Sequence, residues 1–154
     1  MRRIDLEITD FSEIVSILHR TDTIRLGLHN EPYPYVIPMS FGFEVVGENI
    51  NIYIHGAKEG LRYNLIQNNP LVCVEADIFH GYAEIPGGAT AEYESFIGYG
   101  NLVRLNEDDI VKGLNLLLLH CGYDGLMFNR SALDSIHVYK IELDSFSGKR
   151  QLVT

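Results

Sequence analysis

The sequence predicts a mainly-β, antiparallel domain with flanking helices. Three observations carry this. Apolar and polar residues alternate through six to seven segments of strand length. Most of these segments are separated by Gly, Pro and Asn turns, and only two stretches have a strong helical period. At 154 residues the chain is also the size of one domain, residues 1–154, with enough length to bury most of its apolar surface. Small β cores that avoid free edges tend to close as barrels.

Asp10, with Glu13 three residues on, reads as an N-cap and its capping-box partner. Phe11, Ile14, Val15, Ile17 and Leu18 then fall at helical spacing, which predicts a helix over residues 11–19. Residues 23–29 read as the first strand and 30–32 as a turn. Residues 33–43 predict the next strand, with Pro34 and Pro38 inside it. Proline offers a ladder no N–H, so this strand belongs at an edge, at a bulge or against a ligand. A hairpin turn at 47–49 leads into a strand over 51–55. After a short helix, 71–78 is strongly apolar strand, and 85–91 (IPGGATA) reads as a loop. A long strand over 93–105 is expected to bend where Gly98 and Gly100 stand two apart. Asn106 reads as the cap of a second main helix, with Glu107, Asp108 and Asp109 in its first turn. Its core stripe is Ile110, Val111, Leu114, Leu117 and Leu118, and Leu116 and Leu119 widen that face, which predicts packing on two sides. Residues 122–135 form a polar connection holding a short apolar patch, and 136–143 alternate as a final strand.

The stretch over residues 52–70, IYIHGAKEGLRYNLIQNNP, is the candidate site. An apolar strand ends in His55-Gly56-Ala57, and a short helix follows with Lys58 and Arg62 four apart. Residues at that spacing share a helix face. A strand–glycine–helix junction aims free backbone N–H groups at one spot, and two cations beside it suit a phosphate. Glycine at 56 and 60 would let backbone approach the anion.

Composition excludes several classes. Net charge is −9, from 12 basic and 21 acidic residues, with no basic tract to offset it, so no nucleic-acid partner is expected. Cys73 and Cys121 lack CxxC spacing and are expected to be reduced core thiols of a cytoplasmic protein. No secretory signal or membrane-length apolar run is present. His29, His80, His120 and His137 lie in separate segments without ligand spacing, so no metal site is expected.

Three segments in order, YVIPMSFGFE, NIYIHGAKEGLRYNLIQNNPLVCVE and YESFIGYGNLVRL, lie between the opening MRRIDLEITD and the closing SFSGKR. This succession resembles the pyridoxamine-5′-phosphate-oxidase-like flavoproteins, and most of all the branch holding Nim-type nitroimidazole-resistance proteins. The resemblance spans nearly the whole chain, and its specificity lies in the order of the segments. It implies a six- to seven-stranded split β-barrel. It also implies a homodimer with FMN at the interface.

The site residues follow position by position from that resemblance. Arg62 matches the basic residue that holds the flavin phosphate, where the branch usually has Lys. Arginine, a forked donor, keeps the role. Lys58 is the second cation. Pro38, Met39 and Ser40 match the strand whose backbone lies along the flavin ring, and Ser95 matches the serine that reaches flavin across the dimer. His55 matches the first residue of the His-Gly-Ala step. Two roles are open for it, a proton donor beside the reduced flavin or an element that orients the phosphate loop. Many relatives carry a cysteine before the position of Tyr93; this chain has none there. The implied function is an FMN-dependent oxidoreductase acting on small, nitroaromatic substrates. The alternatives are a non-catalytic flavin-binding module, or the same barrel holding deazaflavin or haem.

Overall fold

The computed structural model describes residues 3–125 and 129–153. The part of the predicted apolar patch at residues 126–128 lies outside the described residues, as do the side chains of Glu107 and Asp108. After a 3-10 turn, Ile4–Leu6, come β1 (Glu7–Ile8), α1 (Phe11–Arg20), β2 (Ile24–Leu28), β3 (Tyr35–Met39) and β4 (Gly42–Val46). Then follow β5 (Asn49–Ala57), α2 (Leu61–Asn68), β6 (Leu71–Ile85), β7 (Gly88–Arg104), α3 (Glu107–His120), α4 (Arg130–Leu133) and β8 (Ile136–Gln151).

The strands form one antiparallel sheet in the order β3-β2-β6-β7-β8-β5-β4, with β1 added on β8. The path does not close. Its end strands, β3 and β4, are joined in the chain by Ser40 and Phe41 alone yet do not pair with each other. The sheet is therefore curled with a split between its two ends, which is the mainly-β split barrel expected. Pro38 stands on β3, an end strand, so its missing N–H costs no ladder bond on the open side.

Alternation sorts the strands into an inner and an outer face. Ile24 and Leu26 of β2, Ile52 and Ile54 of β5, Val74 and Ala76 of β6, Phe96 of β7 and Ile141 of β8 are buried inward. Each fully buried aliphatic side chain is worth about 1.5–3 kcal/mol, so this inner face dominates the stability of the barrel. The helix α1 adds Ile14, Ile17 and Leu18 to the core. Asp10 caps it, accepting from the Ser12 and Glu13 amides at 2.7 and 3.3 Å. The reciprocal half of the predicted capping box is replaced: the Glu13 carboxylate accepts from Arg150 at 3.1 Å. At the other end of α1, Arg20 donates to buried Glu94, which also accepts from Arg150 and contacts His80.

Several expected boundaries move. Residues 33–43 are two strands, because the chain changes from one end of the sheet to the other at Ser40 and Phe41. The predicted loop at 85–91 is a hairpin, in which Ile85 pairs with Gly88 and only Pro86 and Gly87 turn. The last strand runs on to Gln151 because the SFSGKR segment pairs with β7 and β1. The division of residues 33–43 and the addition of β1 make eight strands among the described residues in place of six or seven. The expected bend in β7 is present: the register shifts at Gly100, where any Cβ would overlap the Glu142 carbonyl oxygen. Asn106 holds the N-cap position of α3, but its side chain makes no capping hydrogen bond. Of the wide leucine face of α3, Leu114 and Leu117 are buried while Val111 and Leu119 are exposed. The cysteines are not core thiols. Cys73 is half-buried on the outer face of β6 opposite Gly27 and Tyr99, and Cys121 is exposed at the end of α3.

Candidate functional site

The end of β5 and the start of α2 form the mouth of the barrel beside the split. Gly60 precedes the helix at φ 102°, outside the helical region, so the helix starts at Leu61. Lys58 consequently lies in the turn before the helix and does not share a helix face with Arg62. Both cations nevertheless stay at the mouth. Leu65 and Ile66, near the end of α2, are buried in the core and hold the short helix down.

Arg62 bridges the split. Its Nη1 donates to the Met39 sulfur of β3 at 2.8 Å. On the other side its guanidinium lies over Gly56 of β5, where a Cβ would overlap Nη2 and stand 2.7 Å from Cζ. Glycine at 56 therefore makes room for the arginine itself, a more direct reason than close approach of backbone to an anion. Arg62 is half-buried and has no carboxylate partner among the described residues. A guanidinium has five N–H donors, and a thioether is a weak acceptor. This group is short of acceptors and suited to an anion.

Most other described cations are paired. Arg3, Arg20, Arg25, Arg150, Lys112 and Lys140 each meet a carboxylate, and Lys149 lies over the Tyr93 ring. Lys58, Arg62 and Arg104 meet no carboxylate among the described residues. In a chain of net charge −9 these three converge on one end of the barrel. Arg104 ends β7, directly across the ladder from Tyr139 of β8. Tyr139 is 3% exposed, and its hydroxyl has no hydrogen-bond partner among the described residues. Burial first, and the Tyr63 hydroxyl second, raise its pKa, while the Arg104 and Arg62 cations oppose that rise. His137, two residues earlier, stacks on Tyr63 of α2 with ring centroids 5.7 Å apart. Its pKa is lowered, first by burial and then by Arg104 and Lys58, so the ring is neutral at neutral pH. A cavity of about 880 Å³ opens here, lined by Lys58, Arg104, His137 and Asp134 on its polar side.

The other expected site residues fall as follows. Pro38 and Ser40 are exposed on either side of buried Met39. His55 is exposed on β5, and alternation turns its side chain to the outer face, away from Gly56 and Arg62. Its pKa is lowered, first by partial burial of the ring and then by the Arg62 charge. Ser95 neighbours inward-facing Phe96 and so points outward from β7, three strands from Met39 across β2 and β6. That is roughly 14 Å of sheet. One chain thus brings Met39, Gly56, Arg62 and Lys58 to one end of the barrel, with His55 on the reverse face and Ser95 apart. Arg104, His137, Tyr63 and Tyr139 were not foreseen; no local motif marks them, the β7–β8 register sets Arg104 across from Tyr139, and Tyr63 joins from α2 by stacking on His137. Among the described residues no group of three or more His, Cys, Asp or Glu is placed to hold a metal, and no helix is long and apolar enough to cross a membrane.

Fold and site together define a split β-barrel with an acceptor-poor arginine wedged in its mouth. The model of a family described as pyridoxamine 5′-phosphate oxidase matches residues 10–150, and the chain belongs to that family. The crystal structure of a candidate 5-nitroimidazole antibiotic resistance protein from Bacteroides thetaiotaomicron is similar with a TM-score of 0.84 and 25% identity, over 94% of this chain and 86% of that one. That similarity supports the resemblance to the Nim-type branch. An FAD- and haem-binding protein from Mycobacterium smegmatis superposes with a TM-score of 0.81 at 17% identity, over 96% and 74% of the two chains. A flavocytochrome from Azotobacter vinelandii gives 0.77 at 16%, over 99% and 72%. At those identities the likeness shows the fold alone. No curated protein matches the chain.

Proposed function

We propose that this chain binds flavin mononucleotide at the barrel mouth and serves as a cytoplasmic oxidoreductase for small, nitroaromatic substrates. The observation that carries the reading is Arg62: a half-buried guanidinium held over Gly56, with only the Met39 sulfur as acceptor. The residues present fit a flavin phosphate. Arg62 would bind it through two forked N–H groups, and Lys58 would add charge from the turn. Free N–H groups at the start of α2 favour the same anion. Bound there, flavin would supply the electron-transfer chemistry, and the protein the orientation and the electrostatics.

The remaining residues take defined parts in this reading. The exposed strand edge at Pro38 and Ser40 borders Arg62 and offers backbone to a flat ring. His55 sits on the outer side of β5, yet its ring feels the Arg62 charge, so both parts, proton donor and orienter of the phosphate loop, stand for it and turnover of the saturated variant separates them. Ser95 is too far from Met39 to join the same site in one chain. It can serve only a site completed by a second copy, which supports a homodimer. Exposed apolar side chains on the outer sheet face, Val36 and Tyr99 among them, give that dimer a surface. Neighbours of this fold include proteins described as binding FAD, or FAD and haem, so the cofactor itself is the first thing to test.

Arg62→Ala tests the assignment. Charge-assisted hydrogen bonds are worth roughly 1.5–3 kcal/mol, so the variant should bind FMN about ten- to a hundred-fold more weakly. Riboflavin, which has no phosphate, should bind wild type poorly and be indifferent to the change. Equal loss of both ligands would remove Arg62 from the phosphate site. An anaerobic assay with a nitroaromatic acceptor then separates an enzyme from a flavin-binding module.

A further inference from the structure

The cavity beside the mouth is larger than one phosphate requires, and its own lining is distinctive. Of the described cations at this end of the barrel that meet no carboxylate among the described residues, Lys58, Arg62 and Arg104, the last is not accounted for by the flavin phosphate. It lies on β7, one of the walls of the cavity, with Lys58 entering from the turn before α2 and His137 from β8. At about 880 Å³ the space is within the usual size range of small-molecule sites.

The chemistry of the walls is divided. Arg104, Lys58 and neutral His137 can donate hydrogen bonds, while Leu105, Ile110 and Ile136 add aliphatic lining. Asp134 stands at the same cavity without pairing to either cation. A bare inorganic anion would leave the aliphatic wall and the carboxylate unused. A phosphate ester with an organic group bearing hydroxyls would use all three: phosphate on Arg104, apolar ring on the leucine and isoleucines, hydroxyls on Asp134. Carboxylates bind ribose hydroxyls in this manner in nucleotide sites.

We infer that this cavity is a nucleotide subsite, in which Arg104 binds a second phosphoryl group beyond the one held by Arg62. The inference deepens the flavin reading and rests on it for its neighbour, although the subsite can be probed alone. The second phosphoryl group has two sources. It is the adenylate half of a flavin dinucleotide, or it belongs to a separate nucleotide that delivers electrons.

The test compares wild type with Arg104→Gln, an exposed strand-end substitution whose folding is checked by thermal melting. Each is titrated with FMN, with FAD and, once saturated with FMN, with NADPH. The inference expects FMN affinity to be retained within a few-fold, while one of the larger ligands loses about tenfold or more, the value of one charge-assisted bond. Loss confined to FAD identifies the cofactor's own second phosphate; loss confined to NADPH identifies a separate nucleotide. Unchanged affinity for both FAD and NADPH, or equal weakening of FMN, overturns the subsite. If wild type binds neither flavin, the flavin reading fails first. AMP alone then decides the subsite: binding that Arg104→Gln weakens sustains it, and no AMP binding overturns it.

Discussion

Gly56→Ala is the substitution that separates the fold from the site most cleanly. Gly56 is not at a positive φ, so alanine fits the backbone of β5 and slightly stiffens the unfolded chain. What alanine cannot do is share space with Arg62. Its Cβ would overlap Nη2 and stand 2.7 Å from Cζ, so the guanidinium must move by about 1 Å or more to restore ordinary contact. The displaced group is the far end of a flexible side chain, and the fold should lose less than about 1 kcal/mol. A charge-assisted hydrogen bond stretched by that distance is no longer one, so roughly 1.5–3 kcal/mol of phosphate binding goes with it. FMN affinity should fall about ten- to a hundred-fold, with riboflavin affinity unchanged. Fluorescence titration gives both constants, and a urea melt gives the stability. In an Arg62→Ala background the same glycine substitution should cost nothing further, because the two changes act through one interaction. Full FMN affinity in Gly56→Ala, or additive losses in the double variant, would refute the wedge.

Three further outcomes are expected. The Arg20, Arg150 and His80 contacts, the Arg20 hydrogen bond foremost, bring the Glu94 carboxyl down from 4.5 to about 2. A depressed folded pKa contributes stability that is full above the unfolded value and lost as pH falls through the folded one. Urea midpoints should therefore drop between pH 4.5 and about 2 by the equivalent of roughly 3 kcal/mol, and Glu94→Gln should lose much of that dependence along with stability at neutral pH. His55, its pKa lowered, is neutral at pH 7, so turnover limited by its proton should rise as pH falls below the usual imidazole range. With His55 as the donor, His55→Gln should keep FMN, slow turnover by about 10²–10⁴-fold and flatten that rise; weaker FMN binding with an unchanged rate per bound flavin would assign it to the phosphate loop instead. Sedimentation at micromolar concentration should find a two-fold dimer, weakened by Tyr99→Glu on the outer sheet face, and a holo-protein that stays monomeric would contradict the shared site.

Much of the fold was legible because a period of two survives in the sequence wherever one strand face is buried. The run Ile50, Ile52, Ile54 and the pair Val72, Val74 announce their inner faces directly. Turn residues misled at 85–91, where Pro and Gly shape only two positions and the alanines and threonine beside them continue the ladder. The split was not legible from alternation, because residues 33–43 stay apolar while the chain crosses from β3 to β4. The site was legible in part. Arg62 and Gly56 are local neighbours in sequence, and the junction that joins them is a local pattern. Treating Lys58 as a helical partner of Arg62 failed because Gly60 adopts a conformation that delays the helix. Whether a cation is paired is a long-range property. Arg25 meets Glu75 and Asp77 on a neighbouring strand, while Arg104 meets no described carboxylate, and nothing within either one's own segment distinguishes them. Tyr139 is likewise defined by its ladder partner Arg104, thirty-five positions earlier in the chain.

The central claim is that the barrel mouth holds a flavin, and the absorption spectrum of the purified protein tests it most directly. Protein prepared with FMN and freed of excess should show the two visible bands of an oxidised flavin, bleached on anaerobic reduction, at one flavin per chain. Arg62→Ala prepared in the same way should lose most of that absorbance. A protein that takes up no flavin at micromolar concentration, or that shows the intense single band of haem in its place, would contradict the account.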